Sequence, residues 1–93
     1  MLRVRLSGQL VCADAAQRAL VEEHLAEHVA LTRAEPGCEF FEVAQIADPL
    51  VWQVDELFAD EDAFARHQER VATSAWGRAT IGIERRYQIV LEG

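Results

Sequence analysis

Three histidines and one strand glutamate are the residues of this chain whose spacing could do acid–base chemistry. His67 ends the run Ala63-Phe64-Ala65-Arg66-His67, and Phe64, His67 and Val71 recur at i, i+3 and i+7, the stripe of a helix face turned to a core. An imidazole titrates near neutrality and burial lowers its pKa, so an inward His67 is a candidate neutral base if a pocket reaches it, and otherwise a satisfied core residue. Glu56 lies in Trp52-x-Val54-x-Glu56-x-Phe58, where period-two alternation puts its carboxylate on an aromatic face. A buried carboxylate must be paired or protonated, and His67 or an arginine such as Arg85 could pair it. His24 and His28, four residues apart, project near the middle of an apolar helix arc containing Leu20, Val21, Leu25, Leu31 and Thr32. That spacing could bind one metal, but no third ligand is evident, so no metal is expected and both rings are assigned to the core or a pocket wall. Trp76, just after Ser74, could close the mouth of such a pocket or simply plug the core.

These residues need elements to hold them. Val4, Leu6, Leu10 and Cys12 alternate with polar residues and predict a first strand, in which Gly8 is a candidate bulge. Asp14 suits a helix N-cap, and residues 15–34 run as an Ala/Leu/Glu-rich helix to the stop at Pro36-Gly37. Residues 38–46 and 50–58 predict a hairpin turning at Asp48-Pro49. Asp60 caps a second helix to about Val71, Ser74 caps a short helix over 74–81, and the alternation around Tyr87, Ile89 and Leu91 predicts a last strand. The order β-α-β-β-α-β is the ferredoxin-like α+β pattern, an antiparallel sheet with its helices on one face. Val11, Val51, Leu57 and Phe40 or Phe41 then fall on the other face, which is too apolar to stand free and predicts dimerisation through the sheet.

Composition narrows the function classes. Ninety-three residues make one domain, spanning 1–93, with 51% hydrophobic and 27% charged residues, a globular balance. A net charge of −7 and a single adjacent cationic pair, Arg85-Arg86, split across two strand faces, argue against nucleic acid. No apolar run suits a membrane span, and the alternating start Met1-Leu2-Arg3-Val4-Arg5 does not fit a signal peptide, so a cytoplasmic location is expected. Cys12 and Cys38 lack metal or redox spacing and are read as reduced thiols.

Taken in order, Thr32-Arg-Ala-Glu-Pro-Gly-Cys38, the Asp48-Pro49 hairpin with Trp52-x-Val54-x-Glu56-x-Phe58, and Asp60-x-x-Ala63-Phe64-x-x-His67 resemble the antibiotic biosynthesis monooxygenase domain, also described as a quinol monooxygenase family. The resemblance covers nearly the whole chain. It implies a dimeric α/β barrel of two ferredoxin-like subunits, a pocket between sheet and helices for a small aromatic or quinol-like substrate, and cofactor-independent oxygenation in which the deprotonated substrate reacts with dioxygen itself. By the same resemblance His67 and Glu56 are the catalytic candidates, His67 as base or proton shuttle and Glu56 as the group that orients or balances it. His24, His28, Trp52, Phe64 and Trp76 are the candidate substrate contacts. Many members carry a second histidine in a Thr-Pro-His or Ser-Pro-His turn; here the turn reads Thr73-Ser74-Ala75-Trp76, so that function would fall to His24 or His28. Haem-degrading relatives use an asparagine, which this chain lacks entirely. Isomerase or signalling-metabolite chemistry on the same scaffold, and a non-catalytic small-molecule-binding module, are the alternatives. Enzymatic use of His67 calls for a cavity of roughly 300 Å3 touching it.

Overall fold

A computed structural model describes residues 1–93 and shows the elements in the expected order: β1 (Arg3–Val11), α1 (Ala15–Arg33), β2 (Cys38–Gln45), β3 (Val51–Phe58), α2 (Glu61–Ala72), α3 (Ala75–Ala79) and β4 (Glu84–Glu92). The four strands form one antiparallel sheet in the order β2-β3-β1-β4, the ferredoxin-like arrangement. Each helix begins where a side chain satisfies its free N–H groups. Asp14 accepts from the Gln17 N–H while Gln17 Oε1 accepts from the Ala13 N–H, a reciprocal cap; Asp60 and Ser74 accept from the N–H groups of Ala63 and Gly77.

The core lies between the helices and one sheet face. Leu6, Leu10, Trp52 and Val54 point up from β1 and β3 onto Val21 of α1, Trp76 of α3 and Ile83, while Val4 and Phe58 pack on Ala63 of α2. One local expectation needs correction. Gly8 is not a bulge: β1 pairs without interruption through Gly8 to Val54 on one side and Tyr87 on the other. Glycine is required there because a Cβ would run into the Arg86 carbonyl oxygen of the neighbouring strand. The irregularity lies instead in β2, between Cys38 and Phe40. The ambiguity between Phe40 and Phe41 is resolved as well, since Phe41 is buried under the helices and Phe40 is on the open face.

Candidate active site

The sheet and all three helices converge on a cavity of about 130 Å3. Its floor is Leu6, Val54, Glu56 and Tyr87 of the sheet; His28 of α1, His67 and Val71 of α2 and Trp76 of α3 form its walls. The volume is less than half of the roughly 300 Å3 expected for enzymatic use of His67, so that expectation is not met and the small cavity weighs against an enzyme acting on a drug-sized substrate. It is close to the roughly 150 Å3 of an engineered protein cavity that takes up benzene, so it suits one six-membered ring.

His67 is almost fully buried and both its nitrogens are accounted for. Nδ1 lies 2.8 Å from Glu35 Oε1, and Arg70 Nη2 donates to that same oxygen at 3.0 Å and to Thr32 Oγ1 at 2.9 Å. A carboxylate oxygen only accepts, so the proton of neutral His67 belongs on Nδ1. The other nitrogen, Nε2, then carries a lone pair and stands 3.7 Å from Glu56 Oε1, at the cavity. Burial holds His67 below its ordinary pKa, opposed by the hydrogen bond and charge of Glu35, so the ring is neutral at physiological pH.

Glu56 is the complementary group. Burial, aided by repulsion from Glu35, pushes its carboxyl up from 4.5 to about 7. Its Oε1 has no hydrogen-bond partner within the protein. The arginine named from sequence does not reach it: the Arg85 guanidinium donates to the Thr80 and Ile83 carbonyls and to Thr80 Oγ1. His28 stacks flat on Trp76, ring centroids 4.4 Å apart, with Nδ1 unpartnered. Burial, with smaller effects from His67, Arg70 and Arg85, depresses His28 to about 3 and keeps it neutral. The cavity is thus lined by a neutral imidazole, His67, and a carboxyl poised near neutrality, Glu56, while His28, its Nδ1 buried and unpartnered, stacks on Trp76 in the wall.

Of the residues singled out from sequence, the structure brings His67, Glu56, His28 and Trp76 to the cavity. The other three lie elsewhere. His24 is half-exposed and approaches Glu23 at 3.9 Å, because the buried arc of α1 is centred on Val21, Leu25, His28 and Thr32. At 100° per residue position 24 lies roughly 70° from that centre, on the rim. Trp52 is buried but belongs to the core beside Leu10 and Val21. Four residues along β3 carry it roughly 13 Å from Glu56. Phe64 sits one turn before His67 and packs edge-on against Phe58 at 5.6 Å, buttressing the histidine from behind.

Sequence reasoning missed Glu35 and Arg70. Arg70 could have been found, since it follows His67 by three residues on the same helix side. Glu35 lies beyond the end of α1, where helix periodicity assigns no direction.

The antibiotic biosynthesis monooxygenase family model matches residues 10–79, which span His28, Glu35, Glu56, His67 and Trp76. Among solved structures, PA3566 from Pseudomonas aeruginosa is similar at 26% identity and a TM-score of 0.73, covering 98% of this chain and 92% of its own. SnoaB, a cofactor-independent oxygenase from Streptomyces nogalater, is similar at 16% identity and a TM-score of 0.79, covering 97% of this chain and 92% of its own. Rv0793 from Mycobacterium tuberculosis is similar at 16% identity and a TM-score of 0.72, with 98% and 93% covered. No curated protein sequence matches the chain. The family match extends across most of the chain and all of the clustered polar residues: the protein belongs to the antibiotic biosynthesis monooxygenase family.

Proposed function

We propose that this protein is a cofactor-independent oxygenase of a single-ring phenol or dihydroquinone. The observation that carries the proposal is His67, neutral, with Nδ1 bound to Glu35 and Nε2 turned to a mostly apolar cavity of about 130 Å3. In the proposed reaction Nε2 takes the substrate hydroxyl proton, and the resulting electron-rich anion reduces dioxygen at a ring carbon. A carbon–oxygen bond forms, the oxygen–oxygen bond breaks, and one oxygen leaves as water, so that a dihydroquinone and dioxygen yield a hydroxyquinone and water. Glu56 would hydrogen-bond the reacting hydroxyl in its protonated form and balance the imidazolium once ionised. The cofactor-independent oxygenase among the structural relatives supports this reading at the level of scaffold.

The modest cavity also favours a second reading, a binding module for a small metabolite, and the two are separated by turnover. Oxygen uptake is expected with monocyclic phenols or dihydroquinones and not with fused-ring analogues. His67→Ala is expected to lose about 10²–10⁴-fold in rate, the usual worth of a general base. Full activity in that variant would remove His67 as the base. Turnover of a lactone without oxygen uptake from any phenol would instead select isomerase-type chemistry, and ligand binding with no turnover the binding module.

A further inference from the structure

Glu35 is the one carboxylate that His67 touches at hydrogen-bond distance, and it does not line the cavity. It reaches the histidine from behind, out of the turn that links α1 to β2. Two donors converge on its Oε1, Nδ1 of His67 at 2.8 Å and Nη2 of Arg70 at 3.0 Å. The same Arg70 nitrogen is anchored on Thr32 Oγ1, a residue of the last turn of α1 that is fully buried. One end of α1 and one face of α2 are therefore tied through a single carboxylate oxygen to the ring at the cavity.

We propose that Glu35, clamped by Arg70 and Thr32, is the positioning residue that fixes His67 as its Nδ1–H tautomer and aims the Nε2 lone pair into the cavity. An imidazole without this partner can place its proton on either nitrogen and can rotate. With the proton on Nε2 the ring would present a donor to the cavity and could accept nothing from a substrate hydroxyl. Holding the proton on the far nitrogen is what leaves the near one basic, and the charge of Glu35 then stabilises the imidazolium that forms when Nε2 takes up a proton. The groups facing His67 divide accordingly: Glu35 behind it, Glu56 of β3 before it, His28 of α1 beside it and Arg70 on its own helix. Of the two carboxylates, only Glu35 stands at hydrogen-bond distance from a ring nitrogen, 2.8 Å from Nδ1, whereas Glu56 Oε1 is 3.7 Å from Nε2.

This inference builds on His67 as the base of the proposed oxygenase, but its first test needs no substrate. In 15N-labelled protein at neutral pH, long-range proton–nitrogen correlation of the histidine rings is expected to show His67 protonated on Nδ1 and bare on Nε2. A wild-type ring that is protonated on Nε2, or that exchanges evenly between tautomers, overturns the proposal. Glu35→Leu, which removes the acceptor altogether, with its fold checked by the backbone amide spectrum, is expected to shift His67 towards the Nε2–H form. An unchanged tautomer in a folded variant also overturns the proposal, and if the variant fails to fold the wild-type spectrum alone decides. With any substrate found by oxygen uptake, Glu35→Gln is expected to lower kcat by about 10²-fold or more with little change in KM. The acid limb of its pH profile should also move to lower pH, because Glu35 raises the pKa of His67. A kcat and pH profile equal to wild type would sink the inference, whereas a wild type inactive on every phenol tested would sink the oxygenase reading and leave the tautomer measurement standing.

Discussion

At the scale of single residues, the site rests on two buried groups that titrate against each other. Glu56 has its folded pKa raised from 4.5 to about 7, so its contribution to stability is fully present below 4.5 and is lost as pH rises through about 7. His28 has its folded pKa lowered from 6.5 to about 3, so its contribution is present above 6.5 and is lost as pH falls through about 3. Between 4.5 and 6.5 the two slopes are opposite, one proton each, and they largely cancel. Glu56→Gln keeps the shape and removes one of the two. Its stability relative to wild type is expected to rise from pH 4.5 to pH 7, by about 1.4 kcal/mol per pH unit at most and about 3 kcal/mol in total. Urea unfolding of both proteins across that range measures it, and a pH-independent difference would show that Glu56 is not held protonated by burial. The inward direction of Glu56 was legible because strand alternation allows it only two faces. Its lack of a partner was not, because Arg85 is near in sequence pattern yet spends its donors on carbonyls of the loop before β4.

At the scale of elements, the decisive piece is the turn at the end of α1. The last turn supplies Thr32, the next residues supply Glu35, and Pro36-Gly37 stop the helix so that the chain can descend into β2. Gly37 adopts φ +89°, and an added Cβ would come within 2.6 Å of the Ala63 Cβ on α2. Gly37→Ala therefore meets both backbone strain and a clash, and should cost about 1–3 kcal/mol. Because the turn must move away from α2, the variant should also loosen the contact between Glu35 and His67. Thermal unfolding together with the His67 ring spectrum checks both effects, and a stable variant with an unaltered ring would show that the turn does not position Glu35. The stop signal itself was plain in the sequence. The phase of α1 was harder to fix, because the apolar residues Leu20 and Leu31 drew the inferred arc towards a side that is in fact exposed. That shift carries His24, which the structure leaves partly exposed on the rim, into the apparent apolar arc beside His28.

At the scale of the whole molecule, the order of strands followed from the element pattern, whereas the cavity could not, because its volume depends on how Trp76 and His28 stack across two helices. The molecule measures 41 × 24 × 18 Å, a slab of one helix layer on one sheet, so the second sheet face has no cover of its own. Across that face Phe40, Leu57, Arg5 and Val90 stand in register on the four strands β2, β3, β1 and β4, with Val11 and Val51 paired at the far end. Phe40 is 47% exposed and Val90 42%, and nothing within the chain shields them. Burying such a row against its own copy removes apolar area from water at roughly 25 cal/mol per Å2, the driving force of sheet-to-sheet association. A homodimer through this face is accordingly expected, sedimenting at twice the 10.4 kDa of one chain. Leu57→Arg would place a second guanidinium directly opposite Arg5 in the middle of the row and oppose both self-association and strand pairing only locally. The variant should sediment as a monomer with an unchanged helical circular-dichroism signal. A wild type that sediments as a monomer at micromolar concentration would sink the dimer, and a dimeric Leu57→Arg variant would place the interface elsewhere.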